Sequence, residues 1–109
     1  MALTRAFRDT VQARVRRDPA FRVELLRLGV QFLVSGDIET GKAVLRDYIN
    51  ATVGFEDLAA AIGKPPKSLM RMFGPRGNPQ ARNLFAIIGR LQEHAGVSLV
   101  VRRGRQVGA

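Results

Sequence analysis

Three side chains in one short segment carry the donor groups that suit contact with a nucleic acid. Lys67, Ser68 and Arg71 stand at positions i, i+1 and i+4, so on a helix they share one exposed face. Lysine and arginine can donate to O6 and N7 of guanine, and serine can bond a base or a phosphate. The segment is therefore a candidate DNA contact. The alternative for Arg71 is a solvated surface arginine.

The basic residues are unevenly distributed along the chain. The net charge is +9 over 109 residues. Residues 1–57 hold nine basic and eight acidic residues, whereas residues 58–109 hold nine basic residues and one acid, Glu93. A carboxylate beside a phosphate backbone would repel it, so a segment depleted of acids is typical of a nucleic-acid interface. A basic domain without a polyanionic partner is the alternative that charge alone leaves open.

The elements around this segment are predicted to be helical. Apolar residues recur every three or four positions through residues 3–54, the spacing of one helix face. Asp18-Pro19 divides the first helix from the second, because proline disfavours helical backbone in the residue before it. Asp37 begins the third helix, because its side-chain oxygen can accept from free backbone amides there. The third helix is predicted to stop at Gly54.

Two short helices are predicted next, over residues 55–62 and 67–73, with Gly63 as a left-handed turn between them. Two helices joined in this way are typical of a helix-turn-helix, whose second helix enters the major groove. Close helix crossing would be allowed by Ala59, Ala60 and Ala61, and Leu69 would face the core. Lys64 stands beside the second helix's N-terminus, where the helix dipole favours a phosphate.

The C-terminal part is predicted to contain a helix, a strand and a tail. Asn78-Pro79 suits the N-cap and first turn of a helix that ends near Ala95. Residues 97–101 alternate as in a short strand, and its unpaired edge predicts pairing with a second copy. Residues 102–109 form a basic tail that we expect to be flexible. The predicted strand face consists of Val97, Leu99 and Val101.

The sequence thus predicts an all-α bundle of five to six helices with a lambda-repressor-like helix-turn-helix and a short C-terminal strand. Residues 1–101 would form one domain. Within it, residues 1–54 would form the N-terminal helices, residues 55–95 the helix-turn-helix region and residues 97–101 the strand.

Longer stretches of the sequence resemble a known family. Leu58-Ala59, Gly63 and Leu69 follow the helix-turn-helix spacing of the Xre/lambda-repressor class. Residues 36–42, 55–59, 64–72 and 74–79 resemble the addiction module antidote protein family, antitoxin-like transcriptional regulators of bacteria encoded beside a small RelE-like toxin. The resemblance covers roughly residues 18–101. Pro65-Pro66 departs from the polar residues usual in that family, which leaves fewer donors for base contacts.

The resemblance implies a dimeric, sequence-specific repressor of its own operon, the antitoxin of a type II toxin-antitoxin pair, with double-stranded DNA and a small RelE-like toxin as partners. The alternatives are a module that neutralises a toxin without specific DNA binding, and a regulator that has no toxin. For Asn78, a helix cap without DNA contact is an equal alternative. The resemblance also implies that base edges in the groove are contacted by Lys67, Ser68 and Arg71. It implies that phosphates are held by Lys64, Arg76, Asn78 and Arg82.

Other chemistry finds little support. Gly36-x-x-x-x-Gly41-Lys42 approaches a P-loop, but Ala43 stands where a hydroxyl must hold magnesium. A capped turn between helices is the favoured interpretation.

His94 is the single histidine and cysteine is absent, so we expect neither a zinc site nor a hydrolytic triad, no enzyme activity and no cofactor. No long apolar run or signal peptide is apparent, which predicts a cytoplasmic protein without a membrane partner.

Overall fold

The computed structural model describes residues 5–104, without the side chain of Phe7, and contains six α-helices in that part. The all-α class predicted from the sequence is confirmed. Among the described helices, none has the length and apolar character needed to cross a membrane. In chain order the helices are α1 (Arg5–Arg17), α2 (Pro19–Val34), α3 (Ile38–Ala51), α4 (Phe55–Ile62), α5 (Pro66–Met72) and α6 (Ala81–Ala95).

The corner between α1 and α2 forms at Asp18, as predicted. The Asp18 carboxylate accepts the backbone N–H of Phe21 at 3.2 Å, which satisfies one of the free amides at the start of α2. That hydrogen bond is the main reason that the pKa of Asp18 lies below its usual range. The Arg22 guanidinium donates to the carbonyl oxygens of Val15 and Arg16 at 3.0 and 3.1 Å. Both helix ends at this corner are therefore capped by side chains.

Helices α2 and α3 approach closely. A Cβ added at Gly41 would lie 2.6 Å from Leu33 Cδ2 and 3.1 Å from the carbonyl oxygen of Gly29, so only a residue without a side chain fits there. Asp37 caps α3 by accepting the Thr40 N–H at 3.2 Å, as predicted. The close approach fixes α3 on α2 and sets which α3 side chains point into the molecule.

One hydrophobic core joins α2 through α6. Leu69 of α5 is fully buried in it, as predicted. Phe55 at the start of α4 packs on Phe73 after α5, with ring centroids 6.0 Å apart and planes tilted by 58°, a favourable aromatic geometry. Deeply buried members of the core include Leu26, Leu45, Tyr48, Ile49, Leu58, Ile87 and Leu91.

The predicted strand at residues 97–101 does not form, and no strand occurs within residues 5–104. A strand needs a ladder of backbone hydrogen bonds to a neighbour, whereas here the Leu99 N–H donates to the Gln92 side-chain oxygen at 2.7 Å. The half-buried side chains of Val97 and Leu99 pack against the core, while Val101 is 86% exposed. The predicted tail is exposed at residues 102–104, and its remainder lies outside the described residues.

Asp47 of α3 is buried, and its Oδ1 has no hydrogen-bond partner within the described chain. Burial raises the pKa of this carboxyl above its ordinary value of 3.8, although Arg46 and Arg8 act in the opposite direction. Because the folded-state pKa is raised, the neutral carboxyl of Asp47 favours the folded state. This contribution to stability is fully present below pH 3.8 and is lost as the pH rises through the folded-state pKa. Ionised Asp47 therefore weakens the fold at neutral pH.

We expect Asp47→Asn to raise the thermal unfolding midpoint at pH 7, because the amide stays neutral. The gain should shrink below the carboxyl's ordinary pKa of 3.8, where Asp47 is itself neutral. Circular dichroism melts at both pH values measure this, with Asp37→Asn as an exposed control that keeps an N-cap oxygen. A lower midpoint for Asp47→Asn at pH 7 would contradict the account.

Candidate nucleic-acid interface

Helices α4 and α5 are joined by a tight turn. Gly63 ends α4 with φ of 80°, in the left-handed region, and its N–H donates to the Ala59 carbonyl at 2.8 Å. The Lys64 N–H donates to the same carbonyl at 3.1 Å. Because side chains strain this conformation, glycine is required at the turn. α5 then begins at Pro66, one residue before the predicted start.

The short helix α5 has one buried and one exposed side. Leu69 is fully buried, whereas Lys67 and Arg71 are exposed. Ser68 is half-buried, and its N–H donates to the Pro65 carbonyl at 3.0 Å. Met70 is 48% exposed. The helix therefore presents two long basic side chains to solvent, with the serine at the edge of that surface.

The loop after α5 is folded back on itself. The Gly74 N–H donates to the Arg71 carbonyl at 3.1 Å, and the Gly77 N–H donates to the Gly74 carbonyl at 3.0 Å. A Cβ at Gly77 would overlap the carbonyl oxygens of Arg71 and Met72, so the backbone passes too close for any larger residue. Arg76, within this turn, is exposed.

A buried lysine from α3 holds this loop. Lys42 is 1% exposed, and its Nζ donates to the carbonyl oxygens of Gly74 at 3.0 Å and Gly77 at 2.7 Å. A carboxylate oxygen of Glu39 lies 3.2 Å from the same ammonium. An ammonium has three protons, and three acceptors surround it. Lys42 thus joins the N-terminal helices to the loop beyond α5.

Sequence reasoning missed the role of Lys42. Residues 36–42 resemble an incomplete P-loop, a capped turn between helices and part of the family pattern, and none of these predicts a contact from Lys42 to the loop after α5. The overlooked signal is helical spacing: Lys42 lies three positions before Leu45 and next to Gly41, and all three are buried. A lysine on a buried helix face needs acceptors, but the sequence does not show that these come from residues 74–77.

The start of α6 differs from the prediction. The helix begins at Ala81, with Gln80 at the N-cap position in an extended conformation and no side-chain hydrogen bond. Asn78 as N-cap is therefore wrong. The chain has no helical structure over residues 77–80, so the helix begins later than the Asn78-Pro79 pair indicates. Asn78 is instead an exposed loop residue, and Arg82 is exposed in the first turn of α6.

The basic residues of this region are not neutralised by acids. The ion pairs within residues 5–104 all involve other cations: Arg14, Arg27, Lys42 and Arg90. Lys64 is half-buried, while the other predicted cations are exposed. The predicted contacts fall within one segment of the chain, residues 64–82, from the α4–α5 turn to the start of α6. Its uncompensated cations are Lys64, Lys67, Arg71, Arg76 and Arg82.

A separate groove lies beside α4 and α6. It has a volume of about 270 Å³ and is lined by His94, Asp57 and Arg90 over an apolar floor. Asp57 is distant from His94 along the chain, so no local sequence pattern predicts that both line one groove. Within residues 5–104 no three metal-ligating side chains cluster. None of the predicted DNA contacts lines this groove.

The chain matches no family model, no curated protein and no solved structure. What it binds must therefore follow from its own surface. That surface offers an exposed basic helix, a tethered basic loop and no acid between Asp57 and Glu93.

Proposed function

We propose that the protein is a sequence-specific DNA-binding transcriptional regulator that contacts double-stranded DNA through α5 and the loop after it. The observation that carries the proposal is the set of unpaired cations between Lys64 and Arg82, in a stretch without acids. A phosphate backbone attracts such a surface and releases counterions on binding. A surface evolved only for solvation has no comparable need to exclude carboxylates.

The proposed reading element is the pair α4–α5 acting as a helix-turn-helix. Its tight turn and the buried Leu69 leave the outer side of α5 free. In this mode α5 lies in the major groove. Arg71 and Lys67 donate to base edges there, and Ser68 contacts a base or a phosphate. Pro65 and Pro66 lack backbone N–H donors at the start of α5, so discrimination depends chiefly on the side chains.

The flanking residues would fix the protein on the backbone. Arg76 and Asn78 are exposed on the loop, and Arg82 is exposed at the start of α6. Together with Lys64 they supply phosphate contacts on both sides of α5. Contacts of this kind set register and affinity but carry little sequence information. The loss of the N-cap role leaves the Asn78 amide available for such a contact.

A dimer is part of the proposal. One helix-turn-helix reads only a few base pairs, so specific affinity usually needs two half-sites. Val100 and Val101 are 71% and 86% exposed, directly after a segment that packs on its own core. A second copy could cover these valines, with Val97 and Leu99 at the margin. The antitoxin role, with a RelE-like toxin as partner, rests on the sequence resemblance alone.

The test compares two arginines of the proposed interface. Binding is measured by gel shift with the DNA upstream of the protein's own gene and with a scrambled duplex. Arg71→Ala should lower affinity for the upstream DNA roughly tenfold and reduce the preference over the scrambled duplex. Arg76→Ala should weaken binding to both duplexes alike. It should also lower the salt slope, the steepness with which log affinity falls with log salt concentration, by about one.

Arg17→Ala, an exposed arginine on α1, is the matched control and should change little. Equal affinity of the unmodified protein for the two duplexes would contradict sequence-specific binding. Absence of a shift at physiological salt would contradict DNA binding altogether.

A further inference from the structure

We propose that Lys42 is a positioning residue for DNA binding: from α3 it holds the loop of residues 74–80 so that Arg76 and Asn78 meet phosphates. This inference rests on the proposed function, and it adds a residue that does not itself reach the surface. Lys42 is 1% exposed, so it acts only through the backbone that it binds.

The hydrogen bonds of Lys42 enclose Arg76. They end on the carbonyl oxygens of Gly74 and Gly77, at 3.0 and 2.7 Å, and only Pro75 and Arg76 lie between those residues. The Gly77 N–H also donates to the Gly74 carbonyl at 3.0 Å. The same ammonium therefore fixes the backbone on both sides of the Arg76 side chain.

The loop needs this anchor because it contributes few apolar contacts. Pro75, Arg76 and Asn78 are exposed, and Gly77 is half-buried. Surface loops of this composition are ordinarily mobile. Ordering such a loop on binding costs conformational entropy, whereas a loop already ordered in the free protein avoids that cost. Lys42 thereby places a phosphate contact before the DNA arrives.

The close passage at Gly77 points to the same geometry. A Cβ there would collide with the carbonyl oxygens of Arg71 and Met72, so the turn is tight enough to present both of its ends to one ammonium. Gly77→Ala therefore displaces the loop while leaving Lys42 intact, which provides a second and independent way to disturb the same positioning.

The experiment is a double-mutant cycle on DNA affinity, measured by fluorescence anisotropy at 15 °C with folding checked by circular dichroism. If Lys42 acts through the loop that carries Arg76, Lys42→Met and Arg76→Ala each weaken binding several-fold, and the double variant is no weaker than Lys42→Met alone. Lys42→Met should also lower the salt slope by about one, as Arg76→Ala does. In the double variant Lys42→Met, Arg71→Ala, by contrast, the fold-losses of affinity from the two substitutions should multiply.

The inference is overturned if the fold-losses of affinity from Lys42→Met and Arg76→Ala simply multiply in the double variant. That result would leave the proposed function intact. If Lys42→Met does not fold, Gly77→Ala replaces it in the cycle with the same expectation, and multiplication there would overturn the inference. Hydrogen exchange in the free protein adds a DNA-independent readout. The Gly77 amide, which donates to the Gly74 carbonyl, should exchange slowly in the unmodified protein, and solvent-like exchange there would contradict a held loop. No binding by the unmodified protein overturns both proposals.

Discussion

Lys42→Met should lower the free energy of unfolding by about 2–3 kcal/mol. Methionine fills much of the lysine volume but leaves the Gly77 carbonyl without this donor, whereas the Gly74 carbonyl loses the ammonium and keeps the Gly77 N–H. An unsatisfied acceptor costs about 1–3 kcal/mol and a lost hydrogen bond to a charged group about 1.5–3 kcal/mol, while relief from burying an ammonium offsets part of that loss. Thermal melts should show a midpoint lowered by roughly 10 °C or more.

The matched control is Lys67→Met, the same substitution at an exposed position of α5. It should change the free energy of unfolding by no more than about 0.5 kcal/mol. Equal midpoints for Lys42→Met and the unmodified protein would mean that the lysine does not hold the loop in solution.

Reversing the charge of α5 should abolish DNA binding. The double variant Lys67→Glu, Arg71→Glu places two carboxylates on the face proposed to enter the groove. Like charges brought together at an interface cost several kcal/mol, so affinity should fall by at least about 100-fold for any duplex. Both residues are exposed, so the fold should be retained, and circular dichroism verifies this.

The control is Arg16→Glu, Arg17→Glu at the exposed end of α1. It changes the net charge of +9 by the same amount but lies outside the proposed interface. We expect a loss of only a few-fold, because distant charges are screened beyond a Debye length of about 8–10 Å. Equal losses from the two double variants would show that net charge, rather than α5, drives association.

Much of the fold could be predicted because its signals are local. Pro19 separates α1 from α2, Asp37 caps α3, Gly63 turns the chain, and Leu69 faces inward. Each of these depends on a few neighbouring residues or on helical spacing. The exposure of Lys67 and Arg71 followed from the same spacing, since the opposite side of α5 holds the buried leucine.

The remaining features depend on partners distant along the chain. Lys42 meets its acceptors more than thirty residues later, and no local pattern encodes that contact. Asn78 suits an N-cap by residue type, yet α6 starts only at Ala81. The alternation at residues 97–101 resembles a strand, but within the described chain no neighbour pairs with it, and Gln92 takes the Leu99 N–H instead.

The most direct test of DNA binding by α5 and its loop is a two-dimensional NMR titration of the amide groups with the duplex from upstream of the gene. If α5 and its loop bind the duplex, the largest shifts fall between Lys64 and Arg82, including Lys67, Arg71 and Arg76, while the amide signals of α1 and α2 change little. Shifts concentrated in α1 and α2, or no shifts at physiological salt, would contradict this binding.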